Sequence, residues 1–265
     1  MIIDAHCHIY PDPIAQKAAN ATDRFYETLT SYADGKVSTL LEDGARAGIS
    51  HFVVQSVATN PTQVSSINRF IAREVEQSAG KFTGLGTLHP DSPTLKEDFE
   101  ELLSLGLKGV KLHPDIQRFK IDDYRCLKIY ELCEGKVPIL MHTGDFRFDF
   151  SNPNRLLPVL RIFEGLVVIG AHFGGWSVWD DVMENLKNLP NLYVDTSSTF
   201  PFVDESKAKA LFAHFGCDRI LFGTDYPMWK AEDELASLGK MNLSESDQEK
   251  VLWRNAAKLF SIQIN

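Results

Sequence analysis

Several common features are scarce or missing in this 265-residue sequence, and each gap removes a class of protein. Its four cysteines, Cys7, Cys126, Cys133 and Cys217, include no CxxC pair, and a strand-like MIIDAHCHI stands where a signal peptide would begin. Both point to a reducing, cytoplasmic setting. No apolar run approaches the roughly 18 to 20 residues of a membrane-spanning helix, so no membrane partner is expected. Basic residues number 27 against 36 acidic ones, a net charge of −9, which leaves no broad basic surface for nucleic acid. Neither a GxGxxG nor a GxxxxGK[ST] fingerprint is present, so Gly174-Gly175 reads as a tight turn instead of a phosphate cradle. The GxSxG elbow of serine hydrolases is missing as well. Repeats, linkers and low-complexity segments are not found.

What is present is enough apolar material for a sizeable core, at 44% hydrophobic and 24% charged residues. Short β-type runs recur at 2–6, 51–57, 83–88, 109–112, 138–142, 167–171, 192–195 and 220–222. Helical spacing occupies the intervals, at 40–46, 64–78, 95–105, 124–134, 156–163, 178–189, 205–214 and 232–238. Strict alternation over a length near the roughly 250 residues of a (β/α)8 TIM barrel predicts that α/β architecture, as a single domain over 1–265. An open doubly wound sheet is the competing arrangement. A last segment, 244–260, opens on the cap-like Ser244-Glu245-Ser246-Asp247 and is expected as the closing helix. About 30 residues separate the first strand from the first helix, and this long loop, 11–36, is the expected cover of an active site. Its Phe25, Tyr26 and Tyr32 are either substrate contacts or the loop's own packing anchors.

The histidines carry the chemistry. Side chains alternate along a strand, so His6 and His8 share one face while Cys7 points away. Six of the eight histidines, His6, His8, His89, His113, His142 and His172, fall at the carboxyl ends of expected strands. In a barrel those ends form one rim, where distant segments converge on the site. Asp225, after the eighth strand, brings a carboxylate to the same rim.

These motifs, His6-Cys7-His8, Gly109-Val110-Lys111-Leu112-His113-Pro114, Met141-His142, Gly170-Ala171-His172 with Phe173-Gly174-Gly175, and Gly223-Thr224-Asp225-Tyr226-Pro227, resemble the amidohydrolase superfamily. The likeness is to its branch of small barrels holding metal-dependent hydrolases and aromatic-acid decarboxylases, and it extends to the closing Asn255-Ala256-Ala257-Lys258-Leu259-Phe260. It implies a divalent metal on His6, His8, His142 and Asp225, zinc in the first place and manganese in the second, one ion being favoured over two. A bound cation lowers the pKa of water from about 15.7 toward about 7. The resemblance makes Asp225 the acid-base group and His172 a catalytic residue that polarises the substrate or binds a second metal. Lys111 and His113 are implied as a second metal site or a substrate anchor.

Asp195 is expected to orient a ligand histidine or to meet substrate. Arg118, Arg147, Phe148, Phe150 and Trp176 lie in loops of the same rim, and the arginines suit an anionic substrate. The resulting expectation is a hydrolase opening an amide, lactone or ester of a small molecule. The alternative is a decarboxylase of an unsaturated or aromatic acid. A homo-oligomer is compatible with either.

Overall fold

The computed structural model describes residues 1–27, 30–187 and 189–263, and among them eight parallel strands close into a barrel. β1 (Ile3–His8) pairs with β2 (His51–Gln55), and β2 with β3, which is broken at Leu85 into Phe82–Gly84 and Gly86–Thr87. β4 (Val110–Leu112), β5 (Ile139–Met141), β6 (Val168–Gly170), β7 (Leu192–Asp195) and β8 (Ile220–Leu221) follow in sequence order. Hydrogen bonds from Leu85 N–H to the Val54 carbonyl and from Gly86 N–H to the Gly109 carbonyl, both 2.9 Å, carry the ladder across the break. Closure comes from Ala5 N–H to the Phe222 carbonyl at 2.9 Å and His8 N–H to the Tyr226 carbonyl at 2.7 Å. The closed barrel, and not the open sheet, is the architecture.

Parallel neighbours require crossovers, and helices supply them. The expected cover at 11–36 is not loop throughout, since it contains a helix, α1 (Ala15–Tyr26). Ala15 and Ala19, four residues apart, are buried on its inner side. Thr28 and Leu29 of the same stretch lie outside the described residues. Then come α2 (Val37–Ala47), α3 (Val64–Gln77), α4 (Leu95–Ser104), the short α5 (Pro114–Gln117) and α6 (Tyr124–Cys133). α7 (Leu156–Ile162), α8 (Trp179–Asn185), α9 (Glu205–Phe215) and α10 (Ala231–Gly239) complete the outer ring. α8 stops short of the expected 189, Asn188 being outside the described residues.

Two apolar clusters reflect strand alternation. Val110, Leu112, Ile139, Met141, Val168, Val194 and Ile220 pack outward beneath the helices, while Val53, Leu85, Leu140, Ile169 and Leu221 fill the barrel. Each such side chain contributes about 1.5–3 kcal/mol by leaving water. In β1 the alternation changes phase. Ile3 and Ala5 belong to the inner cluster, whereas Cys7 belongs to the outer one. A bulge makes this switch, since Asp4 and Cys7, three apart, face Phe52 and Val54, two apart. His6 and His8 consequently turn inward above a core that begins on odd numbers.

The closing segment is helical as expected, as α11 (Glu245–Glu249), a π-helical turn over Lys250–Arg254 and α12 (Asn255–Phe260). The Ser244 side chain caps it by accepting from Asp247 N–H. Ala256, Ala257 and Phe260 join the inner cluster, and the Asn255 amide donates to the carbonyls of Cys217 (2.7 Å) and Ile220 (2.8 Å). This plugs the barrel end where β8 starts. No helix among the described residues is long and apolar enough to cross a membrane.

Candidate metal centre and active site

The β1 bulge sets His6 and His8 at the carboxyl rim, and Gly223 leaves His6 room: a Cβ there would stand 2.9 Å from the His6 Cβ. The His6 Nε2 lies 3.2 Å from His8 Nε2 and 3.2 Å from an Asp225 oxygen, which is 3.6 Å from His8 Nε2. Donors held about 2.1 Å from one ion stand roughly 3.0–3.5 Å apart, so this triplet fits a single divalent cation.

The outer nitrogens show which way the lone pairs point. His6 Nδ1–H donates to Asp195 Oδ2 at 2.9 Å, which leaves Nε2 as a donor atom for a metal. His172 Nδ1–H donates to the Ser197 carbonyl at 3.0 Å, and His142 Nε2–H to the Gly144 carbonyl at 3.0 Å. The remaining nitrogens, His172 Nε2 and His142 Nδ1, therefore direct lone pairs at each other across 3.1 Å. Such an approach is repulsive until a cation or proton lies between them. Burial disfavours the charged imidazolium at four of the rings, taking His8, His113 and His142 well below the ordinary imidazole range and His172 down to about 4. Burial works against ionisation of Asp225, but His6, His172, His8 and a 2.6 Å hydrogen bond from the Ser198 hydroxyl hold it well below the carboxylate range.

Lys111 rises from β4 with its Nζ 3.0 Å from His6 Nε2, almost fully buried. Burial lowers its pKa to about 8, against the pull of Asp225 and Asp195. His113 stacks on His142 with ring centres 3.9 Å apart, and its Nε2 lies 3.1 Å from the Tyr26 hydroxyl. Behind them Asp115 Oδ2 is buried without a hydrogen-bond partner among the described residues, 3.6 Å from His142 Nε2. Burial, helped by Asp145, raises the Asp115 carboxyl to about 7. His172, Phe173 and Asp225 have φ of +60°, +50° and +60°, a concentration of left-handed backbone costing about 1–3 kcal/mol each.

His6, His8, Lys111, His113, His142, His172 and Asp225 face one end of a cavity of about 650 Å³, lined elsewhere by α1 and α3. Phe25 and Tyr26 line it too. Tyr32 does not: it packs beneath Lys230 and meets Asp43 and Arg46. Asp195 is fully buried and outside the cavity, accepting from His6, from His172 N–H and from Ser197 N–H. The other expected substrate contacts are also absent from the lining. Arg118 is exposed at the end of α5, in a left-handed cap. Arg147 is committed to Asp145 (2.7 Å) and to the Phe25 carbonyl (2.8 Å), and stacks on the Phe25 and Phe148 rings. Trp176 is buried against Tyr26 and Phe202, and His89 accepts from Asp91 N–H.

The sequence reading missed Asp4, Asp115, Ser197 and Ser198. Asp4 accepts from His6 N–H, Thr224 N–H and the Thr224 hydroxyl, tying β1 to the loop that carries Asp225. Its place in the Asp4-Ala5-His6 run was the available signal. Gly174-Gly175 is the tight turn expected, and a Cβ on Gly144 would meet its backbone at 2.4 Å.

The amidohydrolase family profile matches residues 3–262. The chain belongs to the amidohydrolase family. A 2-amino-3-carboxymuconate-6-semialdehyde decarboxylase of Dictyostelium discoideum is 23% identical over 244 residues, covering 75% of this chain and 66% of that protein. An uncharacterised TIM-barrel protein from Bordetella bronchiseptica superposes with a TM-score of 0.81 at 23% identity, over 98% of both chains. A dihydroxybenzoic acid decarboxylase from Polaromonas, with bound manganese and the inhibitor 2-nitroresorcinol, gives 0.75 at 18% identity, over 100% of this chain and 98% of that one. The profile match shows the family, and the likeness to the solved structures shows the barrel fold.

Proposed function

We propose that this amidohydrolase is a metal-dependent decarboxylase of an aromatic or unsaturated carboxylic acid, which reverses the order in which the sequence ranked the two reactions. The observation that carries this reading is the closed end of the cavity, where a buried lysine ammonium lies beside a His–His–Asp triplet under largely apolar walls. Apolar walls disfavour a localised carboxylate, and loss of neutral CO2 disperses that charge. The decarboxylase names of the Dictyostelium and Polaromonas proteins support the same reaction.

His6, His8, Asp225 and, from across the cavity, His142 are assigned to the cation. When bound, it draws electron density toward an oxygen beside the reacting carbon. Manganese joins zinc as a candidate ion, since imidazole and carboxylate donors accept both. Lys111 faces the substrate carboxylate. As the carbon–carboxyl bond breaks, the electron pair stays on carbon, CO2 departs, and the Lys111 ammonium supplies the replacing proton. His172, neutral with its Nε2 lone pair turned inward, accepts a hydrogen bond from a substrate hydroxyl, and Asp195 holds His6 in the metal-binding tautomer.

The test is carbon dioxide release from a panel of hydroxybenzoates and unsaturated acids by manganese- and zinc-loaded protein. Release that vanishes in Asp225→Asn is the expected result. Hydrolysis of lactones, esters or amides without any CO2 from acids would overturn it.

A further inference from the structure

α1 divides its surface between two tasks. Ala15 and Ala19 bury themselves against the barrel, while Ile14, Ala18, Ala21 and Phe25, recurring at helical spacing, line the cavity. Ile14 remains 49% exposed. Across the gap α3 presents Ile67 and Phe70 to the same space. Two helices thus leave apolar surface facing each other without packing it, where a core would close the gap. This space is continuous with the end that holds Lys111 and the His–His–Asp triplet.

Size points the same way. A one-ring acid has about ten non-hydrogen atoms, each taking no more than the roughly 30 Å³ of a liquid water, so it fills less than half of the space. The whole cavity, about 650 Å³, falls within the range of about 300–1,000 Å³ of sites that enclose larger organic ligands.

We infer that the gap between α1 and α3 is a subsite for an apolar arm of the substrate, and that Ala18, Ala21 and Ile67 determine how long that arm is. The substrate class is then a carboxylic acid carrying an aryl or alkyl extension beyond the group that reacts. This inference rests on the proposed decarboxylation only for which end of the substrate is the acid.

The test uses binding, so that it is independent of turnover. Benzoate and its propyl- and phenyl-substituted forms, meta and para, are titrated calorimetrically into the full-length manganese-loaded protein. Affinity is expected to rise about two- to fourfold per buried methylene along the best-fitting series. Ala21→Trp is expected to cut the preference for the phenyl-substituted over the plain benzoate at least tenfold, with metal content held at the wild-type level. Ile67→Trp, on the opposite wall, should do the same, so the result does not depend on one variant folding. Equal affinity across the series, or a preference that survives both variants, overturns the subsite even if CO2 is released. A size-dependent series sensitive to both variants supports it even if no acid is decarboxylated, in which case the reaction assignment alone falls.

Discussion

Asp195 touches no part of the cavity, yet the donor atom of His6 depends on it. Replacing it by Asn lets the amide donate to His6 Nδ1, which turns the ring to the tautomer with Nε2 protonated. Asp195→Asn should weaken metal affinity about 10- to 100-fold, read by competition with a chelating dye. Asp115 sets a pH dependence. With its folded pKa raised from 3.8 to about 7, the native state binds more protons than the unfolded chain in that interval, so its contribution to stability falls as pH rises through it. Asp115→Asn should remove this component from the urea midpoint of metal-free protein measured across that window. Histidines at strand ends were legible because strand-end position and residue type are both written in the sequence. The partners of Arg118 and Arg147 were not, because a guanidinium goes to whichever carboxylate or carbonyl the fold brings near. Ser198 acts through a hydroxyl direction, and Ser197 through its backbone carbonyl and N–H, and residue type encodes neither.

At the scale of elements, strands and outer helices followed the periodicity, since a barrel interior and a helical ring impose clean two- and 3.6-residue repeats. α1 escaped because its apolar positions are mostly alanines serving two faces, one toward the barrel and one toward the cavity. Arg147 ties α1 to the loop after β5, so Arg147→Ala should loosen this wall and raise KM several-fold more than it lowers kcat. Steady-state kinetics on the best substrate checks it. α12 depends on Asn255: Asn255→Ala leaves two carbonyls at the start of β8 without their donor and should cost about 1–3 kcal/mol, measured by denaturant unfolding.

For the whole molecule, the proposed ligand set joins side chains of β1 and of the loop after β8, so a cation held there would bind the native state alone. Saturating manganese at about 100 times its Kd should therefore add about 2.7 kcal/mol of stability, visible as a higher Tm that EDTA reverses. The same seam, Ala5 to Phe222 and His8 to Tyr226, orders events during synthesis. A chain still on the ribosome carries His6 and His8 long before Asp225, and cannot finish the ring until the stretch through Tyr226 has emerged. Under the proposed ligand set, products terminated before Asp225 therefore carry His6 and His8 without the carboxylate, and capture of the ion reports that translation has passed it.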